Sequence, residues 1–261
     1  MLAVMPHPGF LPETTTDCPY LPGRAATTEA FISYAMNEGD LETLLARGYR
    51  HFGPYFYRPV CRLCHQCVPL RIPLSDFSFS RSGKRALARG ARFVTVLERP
   101  QPSHEAFALY RRHKRRFRED KAETDLESGF EAFFYPFPFS FQLSIRDGSR
   151  LVGVSHLDVT VNALSAIYCY YDDSYTRESI GTFAINKAIE IGRARGASFL
   201  YLGYFVAENR HMSYKARFHP SQVLLQEGQW VEYRDSKGER VDRNEGIEFF
   251  PRAPLRGDVS R

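Results

Sequence analysis

Three alternating segments joined by two short turns constrain this chain more than any other feature in it. Ser140 to Ile145, Leu151 to Val161 and Leu164 to Tyr171 alternate apolar and polar residues as strands do, with Asp147-Gly148 and Val161-Asn162-Ala163 as the hairpin turns between them. Strands linked so tightly pair antiparallel, which makes the middle of the chain a three-stranded meander. After it, Ser179-Ile180-Gly181 opens a helix with apolar residues at Phe183, Ile185, Ala188, Ile189 and Ile191, and Arg195-Gly196 closes it. Phe199 to Tyr204 reads as a strand, His211 to Phe218 as a short helix and Val223 to Gln226 as a closing strand. Before the meander, Arg92 to Leu97 is a strand, and Ser103-x-x-Ala106 opens a helix running through Leu109, Tyr110 and His113 toward Arg118. Phe133 to Phe139, broken by prolines, reads as a loop.

The order helix, meander, helix, strand makes residues 91–235 one α+β domain. Residues 1–90 differ: they are rich in Pro, Gly, Cys and Tyr, and form a smaller N-terminal domain. Its helix starts at Thr27-Thr28-Glu29 or at Asn37 to Asp40, with Asp40 placed as an N-cap, and ends at Arg47-Gly48. Tyr49 to Tyr57 and Val68 to Leu74 are strands, and Ser80 to Arg89 is a basic helix. Residues 236–261 are polar and read as a loose tail.

A chain that is 43% hydrophobic and 14% aromatic is too apolar for disorder, and 261 residues suffice for a substantial core. It has no apolar run of about 18 residues, so no membrane span is expected. The N-terminal segment lacks the basic start and long apolar stretch of a secretion signal, so a cytoplasmic protein without structural disulfides is expected. Charge is uneven. The whole chain carries 35 Lys and Arg against 30 Asp and Glu, but Arg81 to Lys121 alone holds 13 against 4, a net +9 that suits phosphates.

Three of the five cysteines form the run Cys61-x-x-Cys64-x-x-Cys67, and Cys18 stands in Asp17-Cys18-Pro19-Tyr20. Thiolates at that spacing can turn toward one centre, so Cys18, Cys61, Cys64 and Cys67 are candidate ligands for zinc or an iron–sulfur cluster. No cofactor other than such a metal is expected. Cys169, inside an aromatic run, reads as a core thiol.

Several motifs occur together in order. Cys18-Pro-Tyr20-Leu-Pro-Gly23-Arg24, Gly48-Tyr-Arg50, Tyr57-Arg58-Pro59-x-Cys61 through Cys67-x-Pro-x-Arg71, and Ser80-Arg81-Ser82-x-Lys84-Arg85 lie in the first part. Tyr168-x-Tyr170-Tyr171-Asp172, Ser179-Ile-Gly181-Thr182-Phe183, Tyr201-Leu-Gly203-Tyr204 and Met212-Ser-Tyr214-Lys215-Ala-Arg217-Phe218-x-Pro220 lie in the second. Over about residues 17–235 the chain resembles the aminoacyl-tRNA–protein transferases, most of all the bacterial aspartate/glutamate leucyltransferase branch, which is related to the eukaryotic arginyl branch. The element order likewise resembles GNAT-like acyltransferases.

The resemblance implies transfer of an aminoacyl group, leucine in this branch, from charged tRNA to the α-amine of a protein beginning with Asp or Glu, which marks that protein for N-degron proteolysis. It implies Asp172, Tyr168 and Tyr204 as catalytic candidates. Arg58, Arg71, Arg81, Tyr201, Ser179, Gly181, Thr182, Tyr214 and Lys215 are substrate-binding candidates. Lys84, Arg85, Lys114 and Arg115 are expected on the tRNA backbone. The chain departs from the family at Gly83, at Arg89-Gly90, at Arg111 to Arg118 and at Glu208-Asn209, which leaves an arginyl donor open. A tRNA-binding module without transfer activity is the reading from another class. A coenzyme A-dependent acetyltransferase is a third, weakened because Thr176 to Thr182 holds a single glycine.

Overall fold

A computed structural model describes residues 9–116, 123–225 and 228–241. In chain order its elements are β1 (Thr14–Asp17), β2 (Ala25–Ile32), α1 (Glu38–Ala46), β3 (Arg50–Phe52), β4 (Tyr55–Pro59), β5 (Val68–Pro73), α2 (Arg81–Arg89), β6 (Val94–Glu98), α3 (His104–Arg115) and α4 (Glu123–Glu131). There follow β7 (Ser140–Asp147), β8 (Arg150–Val159), β9 (Ala163–Tyr171), α5 (Ile180–Ala194), β10 (Phe199–Phe205), β11 (Ser221–Leu224) and β12 (Trp230–Arg234). Single 3-10 turns stand at Ala132–Phe134, Asp173–Tyr175 and Ser213–Arg217. Among the described residues no helix is long and apolar enough to cross a membrane.

The chain divides into two compact units, Met1–Ser78 with Tyr201–Arg261, and Phe79–Leu200. This differs from borders drawn at 90 and 235. The reason is a long-range pairing: β5 is antiparallel to β11, with Leu70 opposite Val223 and Arg71 opposite Gln222. Composition along a chain cannot show such a partnership. Of the expected tail, residues 236–241 form a turn that brings Arg240 back to bridge Arg234; residues 242–261 lie outside the described residues. So do Gln226 and the expected extension of α3 to Arg118.

In the first unit, β1, β2, β4 and β3 form an antiparallel sheet in that order. Phe31 of β2 stacks on Phe56 of β4 at 5.3 Å, and both are buried with Leu41 and Leu45 of α1. Burial of such side chains stabilises by about 1.5–3 kcal/mol each. The N-cap of α1 is Asn37, whose side chain accepts from the Asp40 backbone N–H at 2.9 Å. Asp40, expected to cap, instead sits in the first turn, where its charge complements the helix N-terminus. A second run of strands in this unit follows the order β12, β11, β5, β10.

In the second unit the meander is as expected: β9, β8, β7 and β6 lie in that order, every neighbouring pair antiparallel. α3 packs on β8 and β9, α5 on β9, and α2 on α5. Gly153 of β8 makes the approach of α5 possible, because a Cβ there would stand 2.9 Å from Cγ2 of Ile180. The α+β class, the mainly antiparallel sheet and the helix–meander–helix order are therefore present.

Candidate functional site

Two helices of the second unit carry the basic stretch, and each buries one face to display the other. Ser80 caps α2 by accepting from the Gly83 N–H at 3.1 Å. Gly83 and Ala86 are the buried positions of α2, and the buried Asn186 of α5 donates to the Gly83 carbonyl at 3.0 Å. A Cβ at residue 83 would meet the Asn186 amide at 3.3 Å, so the glycine that departs from the family element fits a close helix contact. The opposite face leaves Arg81, Lys84 and Arg85 exposed. Ser103 caps α3 by accepting from Ala106 at 3.1 Å.

The buried face of α3 holds Leu109, Tyr110 and His113. The His113 ring accepts at Nδ1 from the Tyr171 N–H at 3.2 Å. Burial, and then the nearby Arg116 charge, lower its pKa to about 4, so the ring is neutral at pH 7 and ties α3 to the end of β9. That leaves Arg115 exposed and Lys114 lying 5.7 Å from the ring centre of Tyr168. Tyr168, half-buried, stacks on Phe133. The Phe133 ring stacks in turn on His156 at 4.3 Å, and burial lowers the pKa of His156 to about 3, with both ring nitrogens unpartnered.

Asp172 follows β9 and is 5% exposed. One carboxylate oxygen accepts from the Ser174 backbone N–H at 3.0 Å and from its hydroxyl at 2.7 Å, which caps a 3-10 turn. The other pairs with Arg150, and with Arg112 at 3.6 Å. Burial opposes ionisation, but the Ser174 hydrogen bonds and the two guanidiniums outweigh it and lower the pKa. A carboxylate held this firmly in its charged form is a weak acceptor for a proton leaving an α-ammonium, whose pKa is near 7.7–8.0. Beside it, Glu105, Ala108, Arg111, Arg112 and Arg115 of α3, with Arg150 and Leu151 of β8, line an open cavity of about 340 Å³. Sequence reasoning missed Arg111, Arg112 and Arg150 as members of one site; the helical spacing of the first two was visible, the β8 partner was not.

Ser179 precedes α5 with φ 54° and ψ 54°, a left-handed conformation rare for a residue with a Cβ, and its side chain caps nothing. Gly181, in the first turn, lies so near Tyr171 that a Cβ would stand 3.3 Å from the ring. Gly181 and Thr182 are half-exposed, and the first N–H groups of α5 have no partner inside the helix.

The remaining candidates belong to the first unit, and most are already engaged there. Tyr204 is buried; its hydroxyl donates to the Gly48 carbonyl at 2.9 Å, and burial raises its pKa far above the ordinary tyrosine value. Arg71 donates to Gln222 at 2.8 Å and to the Tyr201 hydroxyl at 3.1 Å, and lies 4.2 Å over the Trp230 ring. Arg58 pairs with Glu29 at 2.8 Å and lies over Tyr49. Lys215 is buried beside Arg50 and Cys67; it donates to the Tyr204 carbonyl at 2.6 Å, and burial, with the Arg50 charge, lowers its pKa to about 7. Its neighbour Tyr214 is exposed. At the last of the four departures from the family, Glu208 pairs with Arg24 at 3.0 Å and Asn209 donates to the Tyr20 carbonyl at 2.7 Å, so both fasten the Cys18 segment.

The four cysteines share one neighbourhood. Burial, then the proximity of Cys18, Cys61 and Cys64, push the Cys67 thiol up to about 12. Yet among the described residues no three His, Cys, Asp or Glu side chains are grouped to hold a metal ion. Cys61 sulfur instead receives the Thr27 N–H at 3.3 Å, and Cys64 sulfur faces the Arg24 guanidinium at 3.7 Å.

The comparisons with known proteins agree across most of the chain. Residues 16–85 match the model of the arginine-tRNA-protein transferase N terminus, and residues 105–225 that of its C terminus. An aspartate/glutamate leucyltransferase of Campylobacter jejuni is 32% identical over 213 residues, 79% of this chain and 89% of the relative. One from Pseudomonas aeruginosa is 33% identical over 233 residues, 88% and 94% of the two chains. One from Pseudomonas fluorescens is 34% identical over 221 residues, 82% and 92%. Among solved structures, L-PGS of Bacillus licheniformis superposes with a TM-score of 0.43 at 13% identity, covering 70% of this chain and 56% of that one, a likeness too loose to carry an assignment. On the two matched models and the extent of identity, the chain belongs to the aminoacyl-tRNA–protein transferase family.

Proposed function

We propose that this protein transfers leucine from leucyl-tRNA to the N-terminal α-amine of proteins beginning with Asp or Glu. The observation that carries the reading is the identity of about one third, over 79–88% of the chain, with relatives named for that activity. The chemistry asks little of the enzyme beyond placement. The aminoacyl ester is already activated, and an α-amine of pKa near 7.7–8.0 is partly neutral at pH 7. Attack of that neutral amine on the ester carbonyl forms the amide and breaks the ester bond, and the proton that the amine loses goes to the departing 3′ oxygen of the tRNA. Holding the two reactants in line supplies much of the rate.

The tRNA backbone lies on cations of α2 and α3, with Lys84, Arg85, Lys114 and Arg115 among them. Tyr168 offers a ring for the terminal adenosine, and the start of α5 at Ser179, Gly181 and Thr182 offers N–H groups to phosphate or carbonyl oxygen. Arg71, half-buried and forked, is the residue best suited to a carboxylate, at the cost of its bond to Gln222. The modified protein carries a new N-terminal residue that destines it for proteolysis, and the dependence on charged tRNA places the reaction in the cytoplasm. Incubation with a mixture of aminoacyl-tRNAs and an Asp-start peptide, read by mass spectrometry, tests the reading. A mass gain of one leucine is expected; a gain of arginine, or none, overturns it.

A further inference from the structure

The cavity beside Asp172 has a composition that neither the fold nor the family match accounts for. Arg111, Arg112 and Arg115 reach it from one face of α3, at helical spacing, and Arg150 reaches it from the start of β8. Among the described residues one acid lines it, Glu105, and both its oxygens are taken: one accepts from the Leu151 N–H at 2.8 Å, the other from Arg146 at 3.1 Å. From behind, the buried Asp172 holds Arg112 and Arg150, each of which keeps about half its side chain in solvent (52% and 53%). The Arg150 guanidinium also lies 5.7 Å from the Tyr175 ring centre. Asp172 is itself fixed by Ser174, and α3 by His113.

We propose that this cavity is a phosphate-binding site that takes a backbone phosphodiester of the tRNA, with Asp172 as a positioning residue. The inference rests on the reading that the chain acts on charged tRNA, and adds where one phosphate is gripped. Several convergent guanidiniums exceed what a single carboxylate needs, but suit a phosphate, whose oxygens accept from more than one fork. The cavity is open, so a strand can pass across it. The arginines lose little freedom on binding, because the aspartate and the aromatic ring already orient two of them.

The test uses the full chain with leucyl-tRNA and an Asp-start peptide. Arg111→Gln with Arg115→Gln is expected to weaken tRNA binding on the order of ten-fold, as expected for lost charge-assisted contacts. It also flattens the dependence of log Kd on log salt by about one in total, the change for one lost phosphate contact. KM for the peptide stays unchanged. Asp172→Asn keeps the shape and frees the arginines; it is expected to raise KM for leucyl-tRNA while kcat holds. A fall in kcat with KM unchanged would place Asp172 in the chemistry and overturn its positioning role. If the arginine variant binds tRNA with wild-type affinity and salt slope, or discriminates less between Asp-start and neutral peptides at unchanged tRNA affinity, the phosphate site is refuted. If the wild-type chain itself neither binds tRNA nor transfers leucine, the proposed function fails, and the pocket with it.

Discussion

Replacing Lys215 with methionine should make this protein more stable, and by an amount that depends on pH. The lysine is buried, and its pKa falls from 10.5 to about 7 chiefly because burial penalises the ammonium. Below pH 7 folded and unfolded chains both hold the proton, and the folded chain bears the whole cost of a buried charge. Between about 7 and 10.5 the unfolded chain keeps a proton that the folded one has shed. Wild-type stability therefore rises with pH there, by up to ~1.4 kcal/mol per unit. Above 10.5 the contribution vanishes. From those two values the cost is about 5 kcal/mol at pH 6 and about 2 kcal/mol at pH 9. Methionine removes it but leaves the Tyr204 carbonyl without its 2.6 Å donor, a loss of about 1–3 kcal/mol. Lys215→Met should thus gain a few kcal/mol at pH 6 and close to nothing at pH 9. Urea unfolding of both proteins at the two pH values measures this, since groups common to both cancel in the difference. An effect equal at both pH values would refute the argument. The same variant should keep wild-type preference for an Asp-start peptide, because a lysine that donates inside its own unit does not read the substrate.

Three further outcomes follow from local geometry. Gly90→Ala would drive a Cβ to 2.4 Å from two ring carbons of Phe183, so a loss of about 1–3 kcal/mol and a lower Tm in calorimetry are expected. Ser103→Ala removes the cap of α3 and should cost about 1 kcal/mol in urea unfolding. Cys67 and Cys169, both pushed up to about 12 by burial, should resist alkylation by iodoacetamide at pH 8 in the native state and react on unfolding, as followed by mass spectrometry.

The parts of the fold legible in sequence were those with strong local signals. The meander, α5 with its Gly196 end, α2 behind Ser80 and α3 behind Ser103 stand where pattern and caps put them. What escaped was weakly patterned or paired at long range. Thr14–Asp17 and Ala25–Ile32 are threonine-rich strands without a clean alternation, and part of the second resembles a helix start. Glu123–Glu131 forms a helix despite its glycine, and Trp230–Arg234 gains its strand identity from β11. The site was less legible than the fold. Tyrosine, arginine and lysine at motif positions say nothing of what their polar ends meet. Tyr204 finds the Gly48 carbonyl, Arg71 finds Tyr201 and Gln222, and Asp172 finds two arginines from distant segments.

Gly203 lies inside β10 with φ 76°, and a Cβ there would stand 3.2 Å from Nε of Arg50. An L side chain at this position would be strained by its backbone and pressed against a buried guanidinium at once. The Tyr201-Leu-Gly203-Tyr204 element, one of those that mark the family, is then a record of how a strand bends around an arginine, and its tyrosines are spent on holding that bend's surroundings. A search keyed on these four residues would retrieve proteins that share this architecture whether or not they still transfer an amino acid. Loss of activity in a lineage would leave no trace at Gly203; it would show first at cations such as Lys84 and Arg85, which stand on the solvent face of α2.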